Sequence, residues 1–588
     1  EKDRFFGNAN FNYIFNDNFS ATFQISTDID NENVKRYGAI VDYVAGSPQD
    51  LASVNKVVGA VSESKYTNRE FDTYLNLNYN KELNENLTLD VLAGINFNER
   101  NGDALSVSVT GLDLPNYYEL SNSATTPSIS QYNYTKRVFG VYSQASLALE
   151  NKYFLTLTAR NDQSSTLPIA NNSYFYPSAS LAAIALDNGT SFIKLRGGWA
   201  RIGNDTDTYQ IFSTAGQSSN AAYFGQISYP FGGVNGSEIF GRIENQDLKP
   251  EITDEIELGF ESRFFNNRIG LDVSLYDRKT SDLIVDLPVA RATGYSTVTG
   301  NFVDLSNKGI ELVLTAKPVS NDNFVWDMTY TFTKNNSNVT NVAGDDDKIS
   351  IYSAYGVSFY AEEGKPLGAF YAPSPAKTDA GQFIADADTG YYTYDGNETY
   401  AGSSQRDFIM GLRNTFSYKN FKLAMSFDWK QGGKMYSYTK RLSHFVGNGI
   451  ETTYNNRNSW IIPNSVVSDG NGGYVENTSP VHFDDVTAFY NASQNQAMEG
   501  THVIDKTFIR VRDLSLSYNV KSNVIDKWGI SALSFSIYGK NLFLWTPSDN
   551  PYVDPETTSY GRGIRSEFGE FATNPSQRAY GTSIKLSF

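Results

Sequence analysis

The chain has 588 residues, a formal net charge of −17, no cysteine and only three histidines, His444, His482 and His502. Disulfides, thiolate metal sites and cysteine nucleophiles are therefore excluded, and the acidity argues against nucleic acid as a partner, because phosphate binding needs clustered Lys and Arg. The 39 Tyr, 38 Phe and 46 Gly against 18 Pro favour strands and turns over helices.

Mean hydropathy is −0.40, and no run of about 18 apolar residues occurs, so no helical membrane span is predicted. A strand-built span is compatible with that value, since only alternate residues of a membrane strand need be apolar.

In chain order, Glu1-Lys2-Asp3-Arg4 leads straight into a strand at Phe5–Asn16 with no signal peptide before it, so the true start is expected to lie upstream. Phe19–Asp28 follows across Asn16-Asp17-Asn18. Phe71–Leu83 and Leu87–Phe97 are joined by Asn84-Glu85-Asn86, and Val138–Leu149 and Phe154–Arg160 by Glu150-Asn151-Lys152.

In Glu255–Phe264, Ile256, Leu258, Phe260 and Phe264 share one face, opposite Glu255, Glu257, Glu261 and Arg263. After the turn Phe265-Asn266-Asn267-Arg268, Ile269, Leu271, Val273 and Leu275 repeat the pattern. Gly309–Lys317 turns Ile310, Leu312 and Leu314 outward. Trp326–Lys334, Phe416–Trp429, Leu514–Val520 and Phe535–Phe543 continue the series. The last strand places Tyr580, Thr582, Ile584, Leu586 and Phe588 on one side, with Ala579, Gly581, Ser583, Lys585 and Ser587 on the other.

The count comes to about 17 long strands, each near the length that crosses a bilayer. Tight turns alternate with long polar connections at Lys35–Asn68, Asn204–Lys249 and Met435–Lys506. Short turns at one rim and long loops at the other is the outer-membrane barrel arrangement. Aromatics at strand ends (Phe5-Phe6, Tyr153-Phe154, Phe264-Phe265, Tyr418) suit interfacial girdles.

Chemical motifs are sparse. Gly197-Gly198 and Gly432-Gly433 do not sit between a strand and a helix, so no nucleotide loop is predicted. No nucleophile elbow, zincin motif or carboxylate dyad stands out, and no enzyme activity or cofactor is expected. Asp386 and Asp388, with Asp379 upstream, are weak cation candidates that lack the later bidentate Glu of a calcium loop; a polar turn is the plainer reading. Asp345-Asp346-Asp347 reads as a solvated loop run. Tyr391, Tyr392, Trp460 and Tyr474 are positioned either to stack on sugar rings or peptides or to support their own loops.

An ordered set of segments resembles one family. These are YFLTLTARNDQSS (Tyr153–Ser165), Tyr176-Pro177-Ser178, IKLRGGWARIGN (Ile193–Asn204), the block from Leu248 to Ile284 that opens LKPE, NKGIEL (Asn307–Leu312), FDWKQGG (Phe427–Gly433), FIRVRDLSLSY (Phe508–Tyr518), KNLFLWT (Lys540–Thr546) and Asp554-Pro555-Glu556. Together they resemble the SusC/RagA-like TonB-dependent outer-membrane transporters over essentially the whole chain. The resemblance implies an all-β, transmembrane antiparallel β-barrel of a 22-stranded family, in a Gram-negative outer membrane.

Residues 1–588 are expected to be barrel lacking the N-terminal plug and the first strands. The resemblance also implies active import of oligosaccharides or peptides beneath a SusD-like lipoprotein lid. TonB would act through the missing N-terminal region, lipid would surround the barrel, and dimers of barrel–lid pairs are an option. No substrate-binding residue follows from it. Tyr580 and Phe588 resemble the terminal signal read during barrel insertion. The alternative is a scaffold barrel in a secretion or assembly complex.

Overall fold

The computed structural model describes residues 1–48, 57–212, 215–217, 232–239, 241–344, 347–520, 529–561 and 563–588. Asp345 and Asp346 of the acidic run lie outside them, as do parts of the connections predicted at Lys35–Asn68 and Asn204–Lys249. The chain divides into two compact units. One comprises Glu1–Leu181, Ala200–Glu251 and Val289–Thr299; the other comprises Ala182–Trp199, Ile252–Pro288 and Gly300–Phe588.

The first unit is a meander of long strands: β1 Lys2–Asn16, β2 Phe19–Val41, β3 Val57–Asn84, β4 Leu87–Thr110, β5 Ser128–Leu149, β6 Tyr153–Ser164 and the start of β7 Ser173–Asp187. From β1 to β6 each strand pairs antiparallel with the next. The registers align whole rows of residues. One row reads Phe11, Phe23, Leu75, Ile95, Val141, Asn161 across the six strands. The adjacent row, on the other face, reads Asn10, Gln24, Tyr74, Asn96, Gly140, Asp162.

Burial separates the two faces. Phe11 is 61% exposed and Val141 49%, whereas Asn96 is 5% exposed and Asp162 6%. A large apolar row left uncovered beside a packed polar row is the reverse of a water-soluble sheet, and it matches hydrocarbon outside. The polar face is well bonded: Asn96 Nδ2 donates to Asp72 at 2.8 Å, Arg160 Nε to Asp162 at 2.8 Å and Tyr142 Oη to Asn76 at 2.5 Å. Gly94 lies directly opposite Tyr142, and a Cβ there would meet the phenol ring at 2.7 Å. The glycine leaves the space in which the ring lies flat on the sheet.

The remaining strands, mostly in the second unit, are β8 Phe192–Asn204, β9 Glu251–Phe264, β10 Ile269–Pro288, β11 Thr297–Ser320, β12 Phe324–Val342, β13 Phe408–Tyr418, β14 Phe421–Gln431, β15 Phe508–Asn519, β16 Ala532–Trp545 and β17 Ala579–Ser587. Leu258 faces Leu275, and Phe260 faces Val273, on the uncovered side. On the other side Arg196 of β8 reaches across Gly259 to Asp272 of β10, with 2.8 and 3.1 Å bonds. A Cβ on Gly259 would lie 2.3 Å from the Arg196 Nε, so this cross-strand ion pair needs a glycine between its members.

Asparagine builds several of the tight turns. The side chains of Asn16, Asn84, Asn188 and Asn321 each accept backbone N–H bonds from residues two or three further on, at 2.8–3.2 Å. At Phe265-Asn266-Asn267, three successive residues adopt left-handed φ of 55° to 63°. In the second unit the connections 289–296, 343–407 and 432–507 occur at the opposite strand ends, while 520–531 joins β15 to β16 on the turn side.

Two expectations need correction. Phe416–Trp429 is not one strand: it holds the end of β13, a turn at Lys419-Asn420, and β14. Lys419 takes φ 52°, and Phe421 then pairs back onto Tyr418. The alternation survives the turn, which hides it. Much of Lys35–Asn68 is strand rather than loop, because β2 runs to Val41 and β3 starts at Val57. Polar pairs such as Lys35–Glu63, 3.0 Å apart, carry the ladder past its apolar part.

Among the described residues, β1 pairs in the sheet with β2, and β17 with β16. Tyr580 and Ile584 share the uncovered face of β17 with Phe535 and Ile537 of β16, and Phe588 is 88% exposed. Leu258→Arg on the uncovered face is expected to cost about 2–4 kcal/mol of barrel stability in lipid. Glu257→Gln on the polar face is expected to leave the fold intact. Urea unfolding of both variants in vesicles measures this, and equal losses would mean that the two faces are wrongly assigned.

Candidate functional site

Three connections of the second unit, 343–407, 432–507 and 546–578, fold into a layer with its own apolar cores. A four-stranded sheet of Lys348–Ala354, Val357–Glu362, Ala369–Pro373 and Glu398–Ser403 lies in the first connection. Phe359, Phe370, Tyr436 and Phe568, one or more from each connection, meet with no exposure at all. A second core joins Ala385, Ile462, Val481, Val486, Phe489 and Met498. These loops therefore bury apolar side chains inward, as a water-soluble domain does, while the strands turn theirs outward.

Helix α1, Tyr438–Phe445, begins at Ser437, whose side chain accepts from the Lys440 N–H. It buries Lys440 and His444 and leaves Leu442 and Phe445 uncovered. Val446 and Ile450, the latter 63% exposed, extend that apolar surface. Nearby, Tyr355, Tyr438 and Phe571 form a half-exposed ring cluster, with Tyr438 and Phe571 stacked 4.0 Å apart and the Arg441 guanidinium 4.5 Å from the Tyr355 ring. Tyr355 holds φ 55° in a turn before Gly356, a conformation that costs a bulky residue energy.

The loop aromatics separate by burial. Tyr391, Tyr392 and Trp460 pack against the second core through Phe489, while Tyr474 stays exposed. Asp386 sits in a tight turn, where its Oδ1 accepts from the N–H of Asp388, the N–H of Thr389 and the Thr389 hydroxyl at 2.8–3.1 Å. The Thr389 backbone bond holds its carboxyl below the usual range. Asp388 lends its backbone to that turn. No group of three or more acidic or histidine side chains among the described residues is placed to hold a metal ion.

Three of the quoted motifs converge where this layer meets β14 and β15. Asp428 and Lys430 come from FDWKQGG, Arg510 and Arg512 from FIRVRDLSLSY, and Asp554 and Glu556 from the Asp-Pro-Glu segment. Glu556 bonds Lys430 at 2.7 Å, Arg512 at 2.6 Å and Arg510 at 3.2 Å. Arg510 also pairs with Asp554, both almost fully buried, and Arg512 with Asp428. The buried Phe508 ring lies within 6 Å of the cationic groups of Arg406, Lys430, Arg510 and Arg512.

Burial pushes the Glu556 carboxyl up, but Arg512 and Lys430 outweigh it and hold it at about 2. Beside this clamp is a cavity of about 270 Å³, lined by Arg406, Lys430, Lys506, Glu556 and Glu567 among others. Burial lowers the Lys506 ammonium to about 8, although Glu567 stands 2.5 Å away. The acidic and basic groups pair with one another, although the buried Arg510 Nε has no hydrogen-bond partner. The arrangement fastens the 546–578 connection to two strands, a role that each segment alone does not announce.

Residues 1–542 match the family described as TonB dependent receptor-like, beta-barrel. TonB-dependent receptor P26 of Formosa agariphila is 24% identical over 94% of this chain and 57% of its own length. TonB-dependent receptor SusC of Bacteroides thetaiotaomicron is 26% identical over 65% of this chain and 41% of its own. Among solved structures, that of the RagAB peptide transporter aligns with a TM-score of 0.73 at 19% identity, covering 100% of this chain and 62% of the other. The chain thus spans between 41% and 62% of the length of these relatives. They are receptors and transporters, not enzymes.

Asp554→Ala leaves the buried Arg510 without its closest carboxylate. The expected cost is about 3–5 kcal/mol of local stability, read as faster amide exchange across 546–571. Glu476→Ala, at an exposed hairpin, is expected to change exchange by no more than about 0.5 kcal/mol.

Proposed function

Because the chain belongs to the TonB-dependent receptor β-barrel family of the Gram-negative outer membrane, we propose that it forms the wall and outer loops of an active importer of oligosaccharides or peptides. A SusD-like surface lipoprotein serves as its lid. The observation that carries this reading is the folded loop layer. Its buried cores give it a fixed shape, and it leaves Leu442, Phe445, Val446 and Ile450 uncovered. Four neighbouring apolar side chains in water mark a surface made to be covered by a partner. The half-exposed rings of Tyr355 and Phe571, beside Arg441, are a surface on which sugar rings or peptide side chains stack.

A strand edge in lipid requires a partner, since an unpaired N–H or C=O there costs several kcal/mol; among the described residues β1 pairs with β2 and β17 with β16. In this reading the remaining strands, and a plug that TonB pulls, belong to the same longer protein. Transport needs no covalent chemistry from the barrel. Substrate is held between lid and wall, and energy from the inner membrane opens the path. Dimers of barrel–lid pairs fit the same scheme.

Purification from native outer membranes tests the reading. A SusD-like lipoprotein is expected to co-purify, and deletion of the locus is expected to abolish growth on one class of oligosaccharide or peptide. Recovery with secretion or assembly machinery instead, with no nutrient phenotype, would establish a scaffold and sink the importer.

We also assign Tyr580 and Phe588, exposed on one face of β17, to the signal read during barrel insertion. Phe588→Ser is expected to lower the yield of folded barrel severalfold. Unchanged heat-modifiable mobility and yield would remove that assignment.

A further inference from the structure

Two of the three histidines are buried side by side in the loop layer. His444 lies on α1, and His502 closes the 3-10 turn Gln496–His502. They form the middle of a chain of contacts. Glu451 Oε2 is 3.2 Å from His444 Nε2, His444 Nδ1 is 3.2 Å from His502 Nε2, and His502 Nδ1 is 3.2 Å from Glu499 Oε1. Each contact needs one proton, making three, and two neutral imidazoles carry only two.

Every element packed against the pair adds a fixed partner. Lys440 of α1 is 3.4 Å from Glu451, and Tyr552 of the 546–578 connection donates to the same carboxylate. Arg441 Nε bonds both oxygens of Glu499 at 3.0 and 3.1 Å, and Tyr436 Oη donates to it at 3.0 Å. The Tyr490 ring lies 5.6 Å from the His444 ring. Both carboxylates thus already have a cation and a phenol. A third proton would complete the contacts to the carboxylates, but it would place an imidazolium where the rings are 0–1% exposed and where Lys440 and Arg441 already balance the two carboxylates.

We propose that the His444–His502 pair is an acid-sensitive tie, which holds α1 against the 496–502 turn at neutral pH and releases it as the pH falls. Burial is the chief cause that pushes both imidazoles down, His444 to about 4. An opened histidine takes its proton near pH 6.5. Between those values the open form binds more protons than the closed one. The closure is therefore complete above about pH 6.5 and is lost progressively toward pH 4. His444 alone should favour opening about thirtyfold more at pH 5 than at pH 8. The same helix presents Leu442 and Phe445, so a loosened α1 would also disturb the lid surface; that consequence rests on the lid reading, while the tie does not.

The test is amide exchange on the full-length receptor in detergent, corrected for intrinsic rates, from pH 8 to pH 5. Peptides spanning 438–445 and 496–502 are expected to lose about thirtyfold or more of their protection, peptides of the β3–β4 hairpin none, and His444→Gln most of that pH dependence. If His444→Gln does not fold, the wild-type imidazole titration by NMR decides. The His444 ring is expected to stay neutral down to about pH 5, and the His502 ring to take its proton below the usual histidine range. Protection that is flat or rises on acidification, or buried rings that titrate near pH 6.5, would overturn the tie. Loss of lid capture with unchanged protection would count against the lid alone.

Discussion

A bilayer offers no water to a peptide group, and the structure depends on that constraint. Each N–H and C=O that crosses the hydrocarbon must find its partner in the protein. The strands meet this with ladders that run unbroken for up to 23 paired positions between β3 and β4. Once the backbone is satisfied in this way, the side chains are free to follow the two solvents. The row from Phe11 to Val141 faces one, and the row from Asn10 to Asp162 faces the other. Inverted exposure is the consequence: phenylalanine uncovered, asparagine buried.

The loop layer obeys the opposite rule because it meets water. Phe359, Phe370, Tyr436 and Phe568 are sealed in its centre, as in a soluble domain. One chain therefore contains two regimes of burial, and the charged clamp stands at their boundary. Arg510 and Arg512 extend from a strand, and Asp554 and Glu556 reach down from a loop. A boundary built of ion pairs around Phe508 tolerates both sides, since each charge in those pairs has an opposite charge within 3.2 Å. The polar cavity next to it, and the His444–His502 pair further into the layer, show that the loops are a structured part of the molecule.

Much of the strand pattern could be read directly. The alternation in Glu255–Phe264 and in Gln577–Phe588 told which residues would face outward, because period two is a property of the backbone itself. The asparagine turns were visible for the same local reason. The break at Lys419-Asn420 was missed, since the alternation resumes after the turn and nothing in Phe416–Trp429 looks like an interruption. The strand ends beyond Val34 were missed because polar ladder residues resemble loop. Of the loop aromatics, Tyr391 and Tyr474 look alike in sequence, yet one is packed against Phe489 and the other is exposed.

Sequence alone determined the alternation, the tight turns, the absence of thiol chemistry and the set of motifs that point to the family. All are local or additive properties, carried by residues within a few positions of each other. Only the tertiary structure decided that Asp428, Arg510 and Glu556 form one clamp and that His444 lies against His502. Contacts between residues 44 to 126 positions apart are set by how loops fold back over strands, and no local periodicity encodes that return.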